Sequence, residues 1–338
     1  MNLSKPVSKV LVLDDSPAHA EALKLFFDEH NLIALKVRDS RRLSAVLSTS
    51  IDLGGVLLAD DYGGSLDEAA AAAARINTLR PELPVILRLS GNTPPEQLPH
   101  ALKNAACASF DAANMSALCA AVDQYIFSLD FPNALVRGIA EITEARLATL
   151  FDGVTVRRDA PSVVRDRIIF GEVFSLIPLE GTWCRGYMLM QAQEDPLLAM
   201  IERDRAARRS GANGASGTSG VSGPGAAEAG FRDLNNLLGE LTNLIWGAFK
   251  DRFLGPQSAR EASQVQVPLL VNHKHRYISF GSDNPQLRFQ YLLHDETSGQ
   301  SVAIDQRFVF NLSWSPEDFS ENTLDVDDLV ESGELDLF

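Results

Sequence analysis

Asp14-Asp15-Ser16 follows directly on the apolar run of residues 9–13. Two adjacent carboxylates at the carboxyl end of a short buried strand form a cation site, at the edge where α/β sheets carry their chemistry. Asp60, with Asp61 beside it, closes a second apolar run at residues 55–59, and Ser90 closes a third at residues 84–89. A second chemical pattern stands in the segment 233–250, where Glu240 and Asn243 are three residues apart. On a helix that spacing puts both on one face. An acid and an amide presented together can dock on a cation and aim a water.

The surrounding segments supply the scaffold for these residues. Up to residue 128, strand-like runs alternate with helix-like stretches at 17–29, 40–48, 67–79 and 114–127. Such alternation predicts a parallel sheet covered by helices on both faces. The alanine run 69–74 belongs to the third of these helices, since Ala is the best helix former. Asp130-Phe131-Pro132-Asn133 marks a boundary. Beyond it the reading gives a helix at 134–150, strands at 167–178 and 186–191, and a short helix at 196–209. The stretch 210–227 is dominated by Gly, Ser and Ala and reads as a flexible insertion. A strongly apolar helix at 231–253 follows, stopped by Gly255-Pro256, with Leu237, Leu241, Leu244, Ile245 and Ala248 expected on its buried face. Strands at 265–271, 286–293 and 302–312 complete an α+β domain. The expected division is 1–128, 131–316 and a tail at 317–338.

The first part resembles the receiver domains of two-component systems: an acid pair, a lone acid and a hydroxyl, each on its own strand tip. The resemblance implies a flavodoxin-like, doubly wound sheet of five parallel strands. It also implies roles: Asp60 as phosphoacceptor with Asp61 as its alternative, Asp14, Asp15 and Asp60 as ligands of Mg2+, Ser90 as the switch hydroxyl, and a histidine kinase as donor. One part is missing. The family's spacing from Ser90 leads to Ala112-Ala113, where a Lys-Pro pair is expected. The alternative to a phosphorylated Asp60 is a degenerate receiver that only docks or dimerises.

The second part resembles the CheC, CheX and FliY phosphatases, which hydrolyse the aspartyl phosphate of CheY. The resemblance rests on Glu240-Leu241-Thr242-Asn243, on Gly181-Thr182-Trp183-Cys184-Arg185-Gly186-Tyr187 as a glycine-flanked strand turn, and on Val265-Gln266-Val267-Pro268 as a strand with a proline. A single signature points to the CheX branch and implies a homodimer. It implies that Asn243 orients the attacking water and that Glu240 pairs with a lysine of the substrate. The attached receiver lacks that lysine, so the expected substrate is a separate phosphorylated CheY-like protein. The rival class is a non-enzymatic adaptor or phosphate sink.

Bulk properties bound the remaining classes. The 338 residues suit two domains, and 45% hydrophobic residues suffice for proper cores. A net charge of −15 argues against nucleic acid as partner. No 18-residue apolar stretch points to a membrane. Three scattered cysteines and the absence of a signal-peptide core fit the cytoplasm. The tail from Pro316 holds nine acids and no base. It reads as a solvated segment or, by its likeness to the acidic segments of CheZ and FliM, as a tether for CheY. His273 and His275 read as surface strand residues. Arg203, Arg205, Arg208 and Arg209 read as a solvated helix end.

Overall fold

The computed structural model describes residues 5–37, 40–91, 94–213, 229–254, 268–273, 278–279 and 282–322. Near-continuous apolar runs can be strands only where both faces of a sheet are covered, and roughly the first third of the chain meets that condition. Its sheet contains β1 (Ser8–Leu13), β2 (Leu32–Lys36), β3 (Leu53–Ala59), β4 (Val85–Leu89) and β5 (Ala106–Asp111). All pairings are parallel and the order is β2-β1-β3-β4-β5. The period of two divides β1 between two cores. Val10 and Val12 pack beneath α1 (Pro17–Glu29) and α5 (Met115–Ala121). Leu11 and Leu13 pack beneath α2 (Leu43–Thr49), α3 (Leu66–Leu79) and α4 (His100–Ala105). This is a flavodoxin-like, doubly wound fold. The helix expected at 114–127 is α5 followed by a π-helical turn, Val122–Ile126.

The part of the chain from residue 133 is α+β. It contains α6 (Asn133–Ala148), β6 (Val154–Arg158), β7 (Ser162–Val164), β8 (Ile168–Ile169), β9 (Val173–Glu180), β10 (Cys184–Ala192) and α7 (Glu194–Asn213). It continues with α8 (Phe231–Phe253), β11 (Leu269–Asn272), β12 (Ile278–Ser279), β13 (Gln286–Asp295) and β14 (Ser301–Trp314). The main sheet runs β11-β9-β10-β14-β13-β6, with β7 also on β13. Its pairings are antiparallel, and α6 and α8 bury their apolar stripes on one face.

Several expectations change here. The strand expected over 167–178 is two strands, because Gly171 (φ +90°) turns the chain between them. The helix expected over 196–209 extends over 20 residues. The strand near Pro268 is Leu269–Asn272, and residues 265–267 lie outside the described residues. So do His275, most of the Gly/Ser insertion and the tail from Thr323. His273 is buried, with its ring edge-on to Phe174. Arg203, Arg205 and Arg208 are in ion pairs with Asp295, Asp233 and Asp204 rather than free in solvent.

The two parts meet at β7. Val163 donates its N–H to Val7 O at 2.8 Å and Val7 donates to Pro161 O at 2.8 Å. Arg165 N donates to Leu53 O at 2.8 Å, so β7 lies against the starting ends of β1 and β3. Gly54 makes the approach possible: a Cβ there would stand 1.9 Å from Ser8 Oγ and 2.8 Å from Val163 O. Charged groups seal the junction. Arg80 Nη2 donates to Arg165 O at 2.7 Å and faces Asp166 Oδ2 at 3.4 Å, and Arg165 Nη2 donates to Ser128 Oγ at 2.9 Å. Burial pulls the Arg165 guanidinium down to about 10 and pushes the Asp166 carboxyl up.

Candidate functional site

The helix α8 begins where Asp233 accepts from Gly230 N at 2.9 Å, an acid in the first turn where the helix dipole favours it. Leu234, Leu238, Leu241, Ile245, Phe249 and Phe253 recur at helical spacing and are buried in the core. A hydroxyl pair fixes the rotation of the helix: Ser175 Oγ on β9 lies 2.5 Å from Thr242 Oγ1, both buried. Trp183, in the glycine-flanked turn, closes the far end by donating from Nε1 to Phe253 O at 3.0 Å. Gly186 lets β10 lie tight on β14, since a Cβ would stand 1.9 Å from Val309 O.

With the helix so held, Glu240 and Asn243 both point to solvent. They line one shallow groove with Asn235, Asn236, Gly239, Leu244 and Pro268. Pro268, just before β11, thus joins the signature helix at one site. The buried stripe differs from the expected one. Leu241 and Ile245 are in it, but Leu244 is 43% exposed and Leu237 and Ala248 are half-buried. Sequence reasoning missed Leu244 as a site residue. Its place immediately after Asn243 was the available signal, because adjacent helical residues lie about 100° apart.

At the tip of the parallel sheet, Asp60 meets Ser90, and Arg88 joins Asp14 to Asp61. Asp60 is 2% exposed and accepts from Ser90 N at 3.1 Å through both oxygens and from Ser90 Oγ at 3.1 Å. Asp14 is bound to Arg88: Nε donates to Oδ2 at 2.7 Å and Nη2 to Oδ1 at 3.2 Å. Nη2 also donates to Asp61 Oδ1 at 2.7 Å. Arg88 was missed by sequence reasoning. The signal was there, since an arginine inside the buried run Val85-Ile86-Leu87-Arg88-Leu89 requires a charged partner.

The expected Mg2+ ligands Asp14, Asp15 and Asp60 differ in what they face. Asp15 faces solvent, Asp60 faces Ser90, and Asp14 is held by Arg88 and by Ser16 N at 2.9 Å. Among the described residues no group of three or more His, Cys, Asp or Glu side chains is placed to hold a metal ion.

No family model matches the chain, and no curated protein matches it. Solved structures do. The chain is similar to a chemotaxis protein CheX from Desulfovibrio desulfuricans, at 13% identity and a TM-score of 0.33, over 51% of this chain and 96% of that one. It is similar to CheX from Vibrio vulnificus at 18% identity and a TM-score of 0.29, over 51% and 96%. It is also similar to the response regulator TrrA from Thermotoga maritima, in complex with Mg2+ and BeF, at 19% identity and a TM-score of 0.30, over 35% and 99%. Among the described residues no helix is long and apolar enough to cross a membrane.

Proposed function

We propose that the chain is a two-component or chemotaxis signalling protein of the cytoplasm. Its α+β part, residues 131–316, hydrolyses the aspartyl phosphate of a separate CheY-like receiver. Asn243 aims the water in line with the phosphorus, and Glu240 pairs with the substrate's lysine and sets the register. Positioning is enough for a reaction whose transition state needs little covalent help. Magnesium enters this reading as the ion in the substrate's own acyl phosphate pocket.

The observation that carries the reading is the joint exposure of Glu240 and Asn243 in one groove, on a helix whose opposite side is locked. The groove is shallow and its rim includes Leu244 and Pro268, which suits a protein surface better than a small molecule. Two features make the attached receiver a poor substrate. Ala112 stands where the lysine belongs. The junction with β7 is at the starting ends of β1 and β3, whereas Asp60 follows the far end of β3, about 20 Å away by strand rise. In this reading residues 1–128 serve the second domain as regulator or assembly element.

The adaptor reading has one observation of its own: Leu244 and Leu269, 43% and 60% exposed, offer apolar contacts near the groove without any chemistry. The deciding experiment follows phosphate release from a phosphorylated CheY-like receiver in the presence of the full chain. Faster release that is lost in Glu240→Ala and Asn243→Ala supports the hydrolase. Release equal in both variants and the parent overturns it, and binding without release identifies an adaptor.

A further inference from the structure

In a metal-dependent receiver, the acid pocket is neutralised by a divalent ion that comes and goes. Here a cation is already built in. Arg88 sits on β4 and its side chain, 1% exposed, reaches past β3 to Asp14, whose side chain is 2% exposed. The neighbour it passes is Ala59, its register partner on β3, which is small enough to leave room. The contact is a two-pronged fork on Asp14, extended to Asp61. A planar guanidinium matches a carboxylate in this way and cannot lose its proton. Burial disfavours the charge on Arg88. The hydrogen bond to Asp14 and the charges of Asp14, Asp61 and Asp60 outweigh that and hold it firmly protonated.

A magnesium ion needs open carboxylate oxygens and room for its own waters. Asp14 offers neither, since its Oδ1 accepts from Ser16 N and Arg88 Nη2 and its Oδ2 from Arg88 Nε. A divalent cation at that carboxylate would also stand against a fixed positive charge in a poorly solvated site. We propose that Arg88 is the resident cation of the receiver's acid pocket, replacing the divalent metal and fixing this receiver in one metal-independent state. Asp60, turned onto Ser90 and sealed from solvent, then takes no phosphoryl group, and the receiver serves as an assembly element. The inference is independent of whether Glu240 and Asn243 catalyse anything.

The test uses the full chain and Mg2+ alone as probe, read by calorimetric titration and by thermal unfolding in EDTA against millimolar MgCl2. The parent should show no titratable binding and the same unfolding temperature in both buffers. Arg88→Met leaves Asp14 buried and unpaired. It should unfold earlier in EDTA, recover with MgCl2, and show titratable Mg2+ binding where the parent shows none. The double variant Asp14→Asn/Arg88→Met removes both charges and should fold without responding to the ion. Mg2+ binding by the parent in the micromolar range overturns the proposal, as does a folded Arg88→Met with no gain in affinity. If Arg88→Met fails to fold in either buffer, a silent parent together with a folded, silent double variant sustains it. A double variant that also fails to fold counts against the pair having only this role. Incubation of the parent with acetyl phosphate should add no phosphoryl group by mass, and addition at Asp60 overturns the locked state.

Discussion

The hydroxyls of Ser175 and Thr242 lie 2.5 Å apart in the core between β9 and α8, and each is fully buried. Thr242 stands between Glu240 and Asn243 in sequence and points the other way. The pair therefore ties the outward facing of the two site residues to a specific contact on the sheet. Removing one partner leaves a buried hydroxyl unsatisfied, while removing both leaves an apolar contact. Thr242→Val should cost about 2 kcal/mol, and Ser175→Ala a similar amount. The double variant should cost less than the sum of the two. Urea unfolding of the four proteins measures the coupling, and additive losses would show that the hydroxyls do not act as a pair.

The roles assigned to Glu240 and Asn243 separate in kinetics. A residue that docks should act mainly on KM, and one that aims the water mainly on kcat. Glu240→Gln keeps the size and loses the charge, so KM for the phosphorylated receiver should rise with kcat little changed. Asn243→Ala should lower kcat by about a hundredfold, the scale of a lost positioning group. Steady-state hydrolysis at varied receiver concentration reads both. A KM effect from Asn243→Ala with intact kcat would exchange the roles.

How much of this was legible in the sequence depends on which force set each element. β1, β3 and β4 were readable because strands buried on both faces must be apolar throughout. β2 was not, because it is an edge strand whose Ile33 and Ala34 are exposed. α8 was readable in extent from its apolar run and its Gly-Pro stop. Its rotation was off by part of a turn, since Leu244 is as apolar as Leu241 and only packing against β9 distinguishes them. The acid pair and Asp60 were legible as residue types at strand tips. What occupies Asp14 was not, because Arg88 is 74 positions away in sequence and meets it only through the sheet order. The junction at β7 was missed for a similar reason. A three-residue strand carries too little pattern to announce itself.

The junction has a pH signature. Desolvation raises the Asp166 carboxyl above its unfolded value, against the pull of Arg80, the Ile168 N–H and Arg307. The folded state thus holds the Asp166 proton more tightly than the unfolded chain does. Stability from this group is fully present below the unfolded carboxylate value, about 3.9, and is lost as pH rises through the folded value. Asp166→Asn removes the titration while Oδ1 can still accept from Ile168 N, which it does at 2.8 Å. Parent stability relative to Asp166→Asn should therefore increase as pH falls from neutral toward 4. Denaturant unfolding across that range measures it, and a difference that shrinks on acidification would contradict the sign.

Gly239 joins stability to function at the site. It lies inside α8 with ordinary helical backbone, and a Cβ added there would meet nothing within 4 Å. Glycine at such a position forfeits about 1 kcal/mol relative to alanine. The space it leaves is part of the groove that Glu240 and Asn243 line. Gly239→Ala should therefore raise stability by about 0.5–1 kcal/mol, mostly by restricting the unfolded chain. The same methyl group narrows the groove, so KM for the phosphorylated receiver should rise. Thermal unfolding and hydrolysis measured on one preparation test both halves. A more stable protein with unchanged KM would mean that the substrate does not approach along this side of the helix.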